Sequence, residues 1–198
     1  MREISSADVT APDITVATPA DRGRVVDSLV AAFADDPVLR YLFPDRAAYP
    51  RYAAAFFGDL FDKRVHKQTI WTIGHGDSVA MWDGPAVETG SPDGGLSAGY
   101  PADVLARVNA YDDAVRAALP AAPFWYLGVL GTHPDCAGRR WGRAVMRAGL
   151  RRAAADGLPA VLETSKPGNV EVYRRAGWEI VREVTEPLHI WIMQQPAP

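Results

Sequence analysis

The chain has 198 residues, which suits one domain or one domain with a large insertion, and its 48% apolar and 23% charged residues, with a net charge of −3, are ordinary for a soluble globular protein. That charge gives no bulk attraction to nucleic acid or to an anionic membrane, so any basic site must be local. Its one cysteine, Cys136, excludes an intramolecular disulfide and fits a reducing, cytoplasmic setting. No apolar h-region opens the sequence, and no run approaches the ~20 apolar residues of a membrane span. In chain order, 14–17 reads as a short strand. Thr18 and Pro19 then start a helix whose face is Val25, Val26, Leu29, Val30 and Phe33. The chain breaks at 35–37, and a second helix is expected over about 47–67. Residues 68–74 and 78–82 flank a Gly-His-Gly-Asp turn and predict a hairpin. A Gly/Pro/Ser/Asp-rich loop over 83–101 leads to a helix at 101–119, closed by 120–123.

The second half is more regular. Residues 124–131 are nearly all apolar, as in a strand buried on both faces. Gly138, Arg139, Arg140, Trp141, Gly142 and Arg143 follow, and a helix carries Met146, Gly149, Leu150 and Ala153 on one stripe until Gly157 stops it. Residues 158–165 predict another strand, 169–177 a short helix with Asn169 as N-cap, and 178–184 and 188–195 two final strands. Residues 124–165 form a βαβ crossover with two parallel strands inside a mixed sheet covered by helices. The whole reads as one domain over 14–193, with flexible termini at 1–13 and 194–198; the last strand is free to pair across a homodimer.

A strand, a glycine- and arginine-bearing turn and a helix start make an anion site. The first helical N–H groups lack partners, the helix end is positive, Gly138 allows close approach, and Arg139, Arg140 and Arg143 add forked donors. The competing reading is a surface turn with a solvated arginine face. Two glycines in the preceding strand, Gly128 and Gly131, fit a bulge or close ligand approach, and equally a tightly packed helix. Asp35 and Asp36 are a paired carboxylate that either binds an ammonium or ends the helix. His66, His75, His133 and His189 show no metal spacing, and Cys136 lacks the partners of a hydrolase nucleophile.

HPDCAGRRWGRAVM after a buried strand, then LETS, then NVEVYRRAGW, resembles the GNAT superfamily of acyl-CoA N-acyltransferases. With AAFADDPVLRYLFPD and AMWDGP, the resemblance extends to the puromycin N-acetyltransferase group within it. It implies an α/β fold with a mixed, mostly antiparallel sheet of six or seven strands flanked by helices on both faces. The family's pyrophosphate loop, Q/R-x-x-G-x-G/A, aligns with 137–142; Ala137 replaces its Gln/Arg, Arg140 its first glycine, and Gly142 matches. The resemblance further implies acetyl-CoA as co-substrate, no metal, and a small-molecule amine as acceptor, with antibiotic acetylation as the specific expectation. Leu130, Gly131 and Thr132 would line the pantetheine and polarise the acetyl carbonyl; Asn169 would touch the pantetheine arm. Tyr173 would protonate the leaving thiolate, and Glu163 would take the amine's proton directly or through water. Bland alternatives stand beside these: a core tyrosine for Tyr173, an arginine-paired glutamate for Glu163. Trp71, Trp82 and Trp125, expected near pocket walls, favour an aromatic or amphiphilic amine. The rival reading of the whole is a non-catalytic module of the same fold that binds acyl-CoA weakly or serves a partner.

Overall fold

A computed structural model describes residues 12–85, 99–121 and 123–197. The expectations for residues 1–11, for most of the 83–101 loop, for residue 122 and for residue 198 lie outside them. Seven strands form one sheet: β1 (Ile14–Val16), β2 (Ile70–Ile73), β3 (Ser78–Asp83), β4 (Trp125–Thr132), β5 (Ala160–Thr164), β6 (Glu179–Val184) and β7 (Ile190–Gln195). The order across it is β1-β2-β3-β4-β5-β7-β6. Only β4 and β5 are parallel, the crossover pair expected from the apolar runs on either side of the glycine turn. The sheet is thus of the expected mixed, mostly antiparallel class.

Two cores lie on its two faces. Helices α1 (Arg22–Ala32), α3 (Tyr49–Val65) and α4 (Ala102–Ala118) cover one, with Val25, Leu29, Phe57, Phe61 and Val108 against Val79, Met81, Val129 and Val161. Helix α5 (Trp141–Ala155) and the short α6 (Pro167–Arg174) cover the other, with Val145, Met146 and Val170 against Ala80, Trp82, Leu127 and Leu162. The sides alternate along β3, as a period of two demands. On the α5 side Gly149 admits the indole of Trp82: a Cβ there would fall 2.2 Å from Trp82 Cε2.

Four expectations need correction. The break at 35–37 also starts a helix, α2 (Pro37–Leu42), too short to show periodicity; Asp36 Oδ1 accepts from the amides of Val38 and Leu39 at 3.0 and 3.3 Å. Helix α6 begins at Pro167 with Lys166 as N-cap, so Asn169 sits inside its first turn and caps nothing. Pro167 suits the first helical position, where its missing N–H costs no bond. The last strand, β7, lies between β5 and β6, which occupy both its edges, and cannot pair across a dimer. It also runs to Gln195, past the boundary drawn at 193.

Candidate active site

The parallel strands β4 and β5 pair over only three positions, from Trp125↔Ala160 to Leu127↔Leu162, and then part. Gly128 marks the departure. The β3 register steps from Trp82↔Leu127 to Met81↔Val129, which leaves Gly128 as the extra residue of a bulge. Gly131 answers to a different demand: a Cβ there would fall 2.6 Å from Leu29 Cδ2 and 2.9 Å from Phe33 Cε2, so it is where α1 packs onto the strand. Each glycine therefore takes one of the two readings that the sequence left open.

The parting leaves one edge of β4 unpaired. His133 donates its amide to Asp77 O at 2.7 Å, and Trp82 donates away from β4 to Thr69 O at 2.9 Å. Antiparallel alternation then turns Val129 and Gly131 toward β3 and leaves the amides of Leu130 and Thr132 facing the gap. Into that gap opens a cavity of about 400 Å³. Its walls are Leu130, Gly131 and Thr132 of β4, Gly142, Arg143 and Met146 of α5, and Asn169, Val172 and Tyr173 of α6, with Arg175 and Ala176 just beyond. Seven of these carry roles in the sequence reading; Arg175 does not, because its doublet with Arg174 reads as an ordinary basic helix end.

The turn expected to hold a pyrophosphate forms the rim. Gly138 has φ +79° and Arg140 φ +61°, ψ +19°, both left-handed. Helix α5 starts at Trp141, and no side chain caps it, so its first amides stay open to an anion. Gly142 brings the helix start close to β4: a Cβ would lie 3.3 Å from Thr132 Oγ1, which is bonded to Ser78 Oγ at 2.8 Å. The guanidinium of Arg139 lies over the Trp141 ring, 4.9 Å from its centre. Gly138, Arg139, Arg140 and Trp141 are not part of the cavity wall itself.

Glu163 projects to the opposite face, beside Val161 of the same strand. Among the described residues it pairs with no arginine. Its carboxylate accepts hydrogen bonds from the hydroxyls of Tyr111 of α4, at 3.3 Å, and Tyr126 of β4. Burial pushes the Glu163 carboxyl up to about 7; the Tyr126 bond, its own backbone amide and the Tyr111 bond oppose that rise, and the charge of Asp112 adds to it. Tyr173 stacks edge-on against Trp178, with ring centres 6.0 Å apart. Burial, then the charges of Glu163 and Asp36, raise its phenol well above the usual range, so it stays neutral at physiological pH. Across the groove Lys166 Nζ meets Asp36 Oδ2 at 3.2 Å. Deeper on the same face the buried Arg64 pairs with Asp83 at 2.5 Å and donates to Leu60 O at 2.9 Å.

Tyr111, Tyr126 and Lys166 escaped the sequence reading. Tyr111 continues the stripe of Val104, Val108 and Val115, and Tyr126 lies in an apolar run, so both read as core. The tryptophans err the other way. Trp82 is fully buried against Gly149, Trp125 is buried with its indole N–H donated to Asp156 Oδ2 at 2.9 Å, and Trp71 packs on the same core. None lines the cavity, so the three give no support to an aromatic acceptor from its walls. Among the described residues no three of His, Cys, Asp and Glu converge to hold a metal, and no helix is long and apolar enough to cross a membrane.

Comparison with known proteins adds two findings. The model of the acetyltransferase (GNAT) family matches residues 49–178, more than half of the chain. Among solved structures, the chain is similar to a histone acetyltransferase HPA2-related acetyltransferase from Corynebacterium glutamicum at 25% identity and a TM-score of 0.68, covering 95% of this chain and 97% of that one. It shares its fold with arylalkylamine N-acetyltransferase 2 from Aedes aegypti at 10% identity, TM-score 0.69 and coverage of 94% and 99%. The PaiA N-acetyltransferase of Thermoplasma acidophilum, solved with coenzyme A, gives 8% identity, TM-score 0.57 and the same coverage.

Proposed function

Because the chain belongs to the GNAT acetyltransferase family, we propose that it moves an acetyl group from acetyl-CoA to the primary amine of a small molecule by direct attack in a ternary complex. The observation that carries this reading is the parting of β4 and β5. It leaves two strand amides free beside a cavity that ends at a protonated tyrosine, with a half-buried carboxylate on the other side of the sheet. The donor set fits the co-substrate. An uncapped helix N-terminus with Arg143 and Arg175 suits a diphosphate, and an unpaired strand edge suits an amide-bearing arm. The coenzyme A in the Thermoplasma acidophilum structure supports the same assignment for a shared fold.

Each residue then has a task. An alkylammonium is no nucleophile, and Glu163, with a pKa of about 7, takes its proton at neutral pH. Tyr111 and Tyr126 orient the carboxylate. The amides of Leu130 and Thr132 face the side on which the acetyl oxygen gains charge. Tyr173 holds its proton toward the departing sulfur; an unprotonated thiolate, of parent pKa ~8.5, would remain a competent nucleophile. Setting two substrates along one groove supplies much of the acceleration, so few side chains are required. The acceptor is proposed to be an antibiotic or another secondary metabolite, in line with the likeness to the puromycin N-acetyltransferase group.

Calorimetry with acetyl-CoA, followed by thiol release over an amine panel that includes puromycin and arylalkylamines, tests this. Saturable binding and amine-dependent release are expected. No heat at millimolar acetyl-CoA would overturn the assignment; binding without release on any amine would leave only the non-catalytic module.

A further inference from the structure

The Asp36–Lys166 ion pair joins the two walls that the parting strands separate. Asp36 lies in the turn between α1 and α2, and α1 is seated on Gly131 at the end of β4. Lys166 follows β5 and stands at the N-cap position of α6, with no side-chain bond to the helix. The two oxygens of Asp36 have different work. Oδ1 serves both helix amides, Val38 and Leu39; among the described residues Oδ2 takes only the Lys166 ammonium, at 3.2 Å. Asp36 is 8% exposed, and a carboxylate so buried demands a cation. The side chain of Lys166 is 37% exposed and swings on a flexible four-carbon stem, so it can leave for solvent. The charge of Asp36, with that of Glu163, bears on the phenols of Tyr111 and Tyr173.

We propose that Asp36 Oδ2 is the anchor for the acceptor's ammonium, and that Lys166 is a resident counter-ion which the acceptor displaces. The acceptors are then small organic cations, held at Asp36 before Glu163 takes their proton. This rests on the acetyltransferase reading above and deepens it.

The test uses the full chain loaded with coenzyme A and phenethylammonium as the probe, with its neutral analogue phenethyl alcohol as control, both titrated by calorimetry. Lys166→Met removes the competing charge and keeps the stem; it is expected to tighten phenethylammonium binding about fivefold. Asp36→Asn keeps the cap, since Asn caps a helix as well as Asp, and is expected to weaken that binding at least tenfold. In the double variant Lys166→Met gives no further gain, and the alcohol is indifferent to every change. Unchanged or weaker binding in Lys166→Met, wild-type affinity in Asp36→Asn, or no phenethylammonium binding in any variant would each overturn the proposal. The coenzyme A titration in the same cell separates the two levels. Failure to bind it sinks the acetyltransferase reading, whereas coenzyme binding without ammonium binding sinks only the anchor.

Discussion

The two sides of the groove between β4 and β5 are built from different materials. On the α5–α6 side the wall is largely backbone: free amides at Leu130 and Thr132, the uncapped start of α5, and Gly142 where Thr132 leaves little room for a side chain. On the α1–α4 side it is ionisable side chains brought from four separate elements: Asp36 before α2, Tyr111 of α4, Tyr126 of β4 and Glu163 of β5. Backbone can grip a ligand with little regard to side-chain identity, whereas a side-chain constellation depends on which residues stand at each position. The first side therefore suits the co-substrate and the second the acceptor and the proton.

The largest effect is expected where the second side holds its proton. Glu163→Gln keeps the shape and removes the base, and kcat/KM should fall by roughly 100-fold or more. In the wild type kcat/KM should rise with pH and level off above about 7, as Glu163 ionises; in Glu163→Gln that inflection should vanish. Stability should move the opposite way. The folded carboxyl binds its proton more tightly than the unfolded one, whose value is 4.5, so folding favours the acid form. That contribution is full below about 4.5 and is lost as pH rises to about 7. Glu163→Gln should therefore melt above the wild type at pH 8 and by a smaller margin at pH 5. Parallel melting curves at both pH values would mean that folding does not raise this carboxyl.

A smaller loss is expected at Tyr173, which meets the cavity from α6 and feels the charges of the other side. Tyr173→Phe should lower kcat about tenfold and leave coenzyme A affinity within twofold, because the ring keeps its packing on Trp178. An equal loss in both would make Tyr173 a wall rather than a proton donor.

The contrast between the two sides also marks what the sequence could disclose. The strand–turn–helix of 124–155 was legible because burial on both faces, a glycine turn and a 3.6-residue stripe each leave local marks. The mixed sheet covered by helices followed from that order of elements, and its mostly antiparallel class from the family resemblance. Tyr111 and Tyr126 were not legible: a tyrosine facing a core and one facing a half-buried carboxylate look alike until Glu163 is set against them from another strand. Asp36 was seen as either a ligand or a helix end; its two oxygens show one acting as a helix cap and the other held by Lys166. The aromatic count misled because the three tryptophans fill the α5-side core, where a large side chain contributes by burial alone. Helix α6 started early because Pro167 favours a first turn, and nothing in Asn169 itself could signal that a lysine would stand at the N-cap position.

On the backbone-made side, single side chains should matter less. Arg143→Ala and Arg175→Ala remove exposed charges from the cavity wall, and each should weaken coenzyme A binding about fivefold at low salt and less at 1 M, where the Debye length shrinks to ~3 Å. A loss of 100-fold from either, in direct titrations, would mean that side chains rather than amides carry the site.

The smallest effect is expected at Arg140, where the family's loop has glycine. Its backbone keeps the left-handed conformation that glycine would adopt freely, at a cost of roughly 1 kcal/mol for a residue with a Cβ. Arg140→Gly relieves that strain but loosens the unfolded chain by a comparable ~0.5–1 kcal/mol, so the melting temperature should shift by no more than about 3 °C. Coenzyme A affinity should stay within twofold, since the turn's shape, and with it the aim of the α5 amides, is the same in both variants. Tighter binding in Arg140→Gly would instead mean that the side chain crowds the diphosphate. A loss beyond tenfold would make its guanidinium a principal ligand, and the backbone-made side of the groove would then depend on side-chain charge after all.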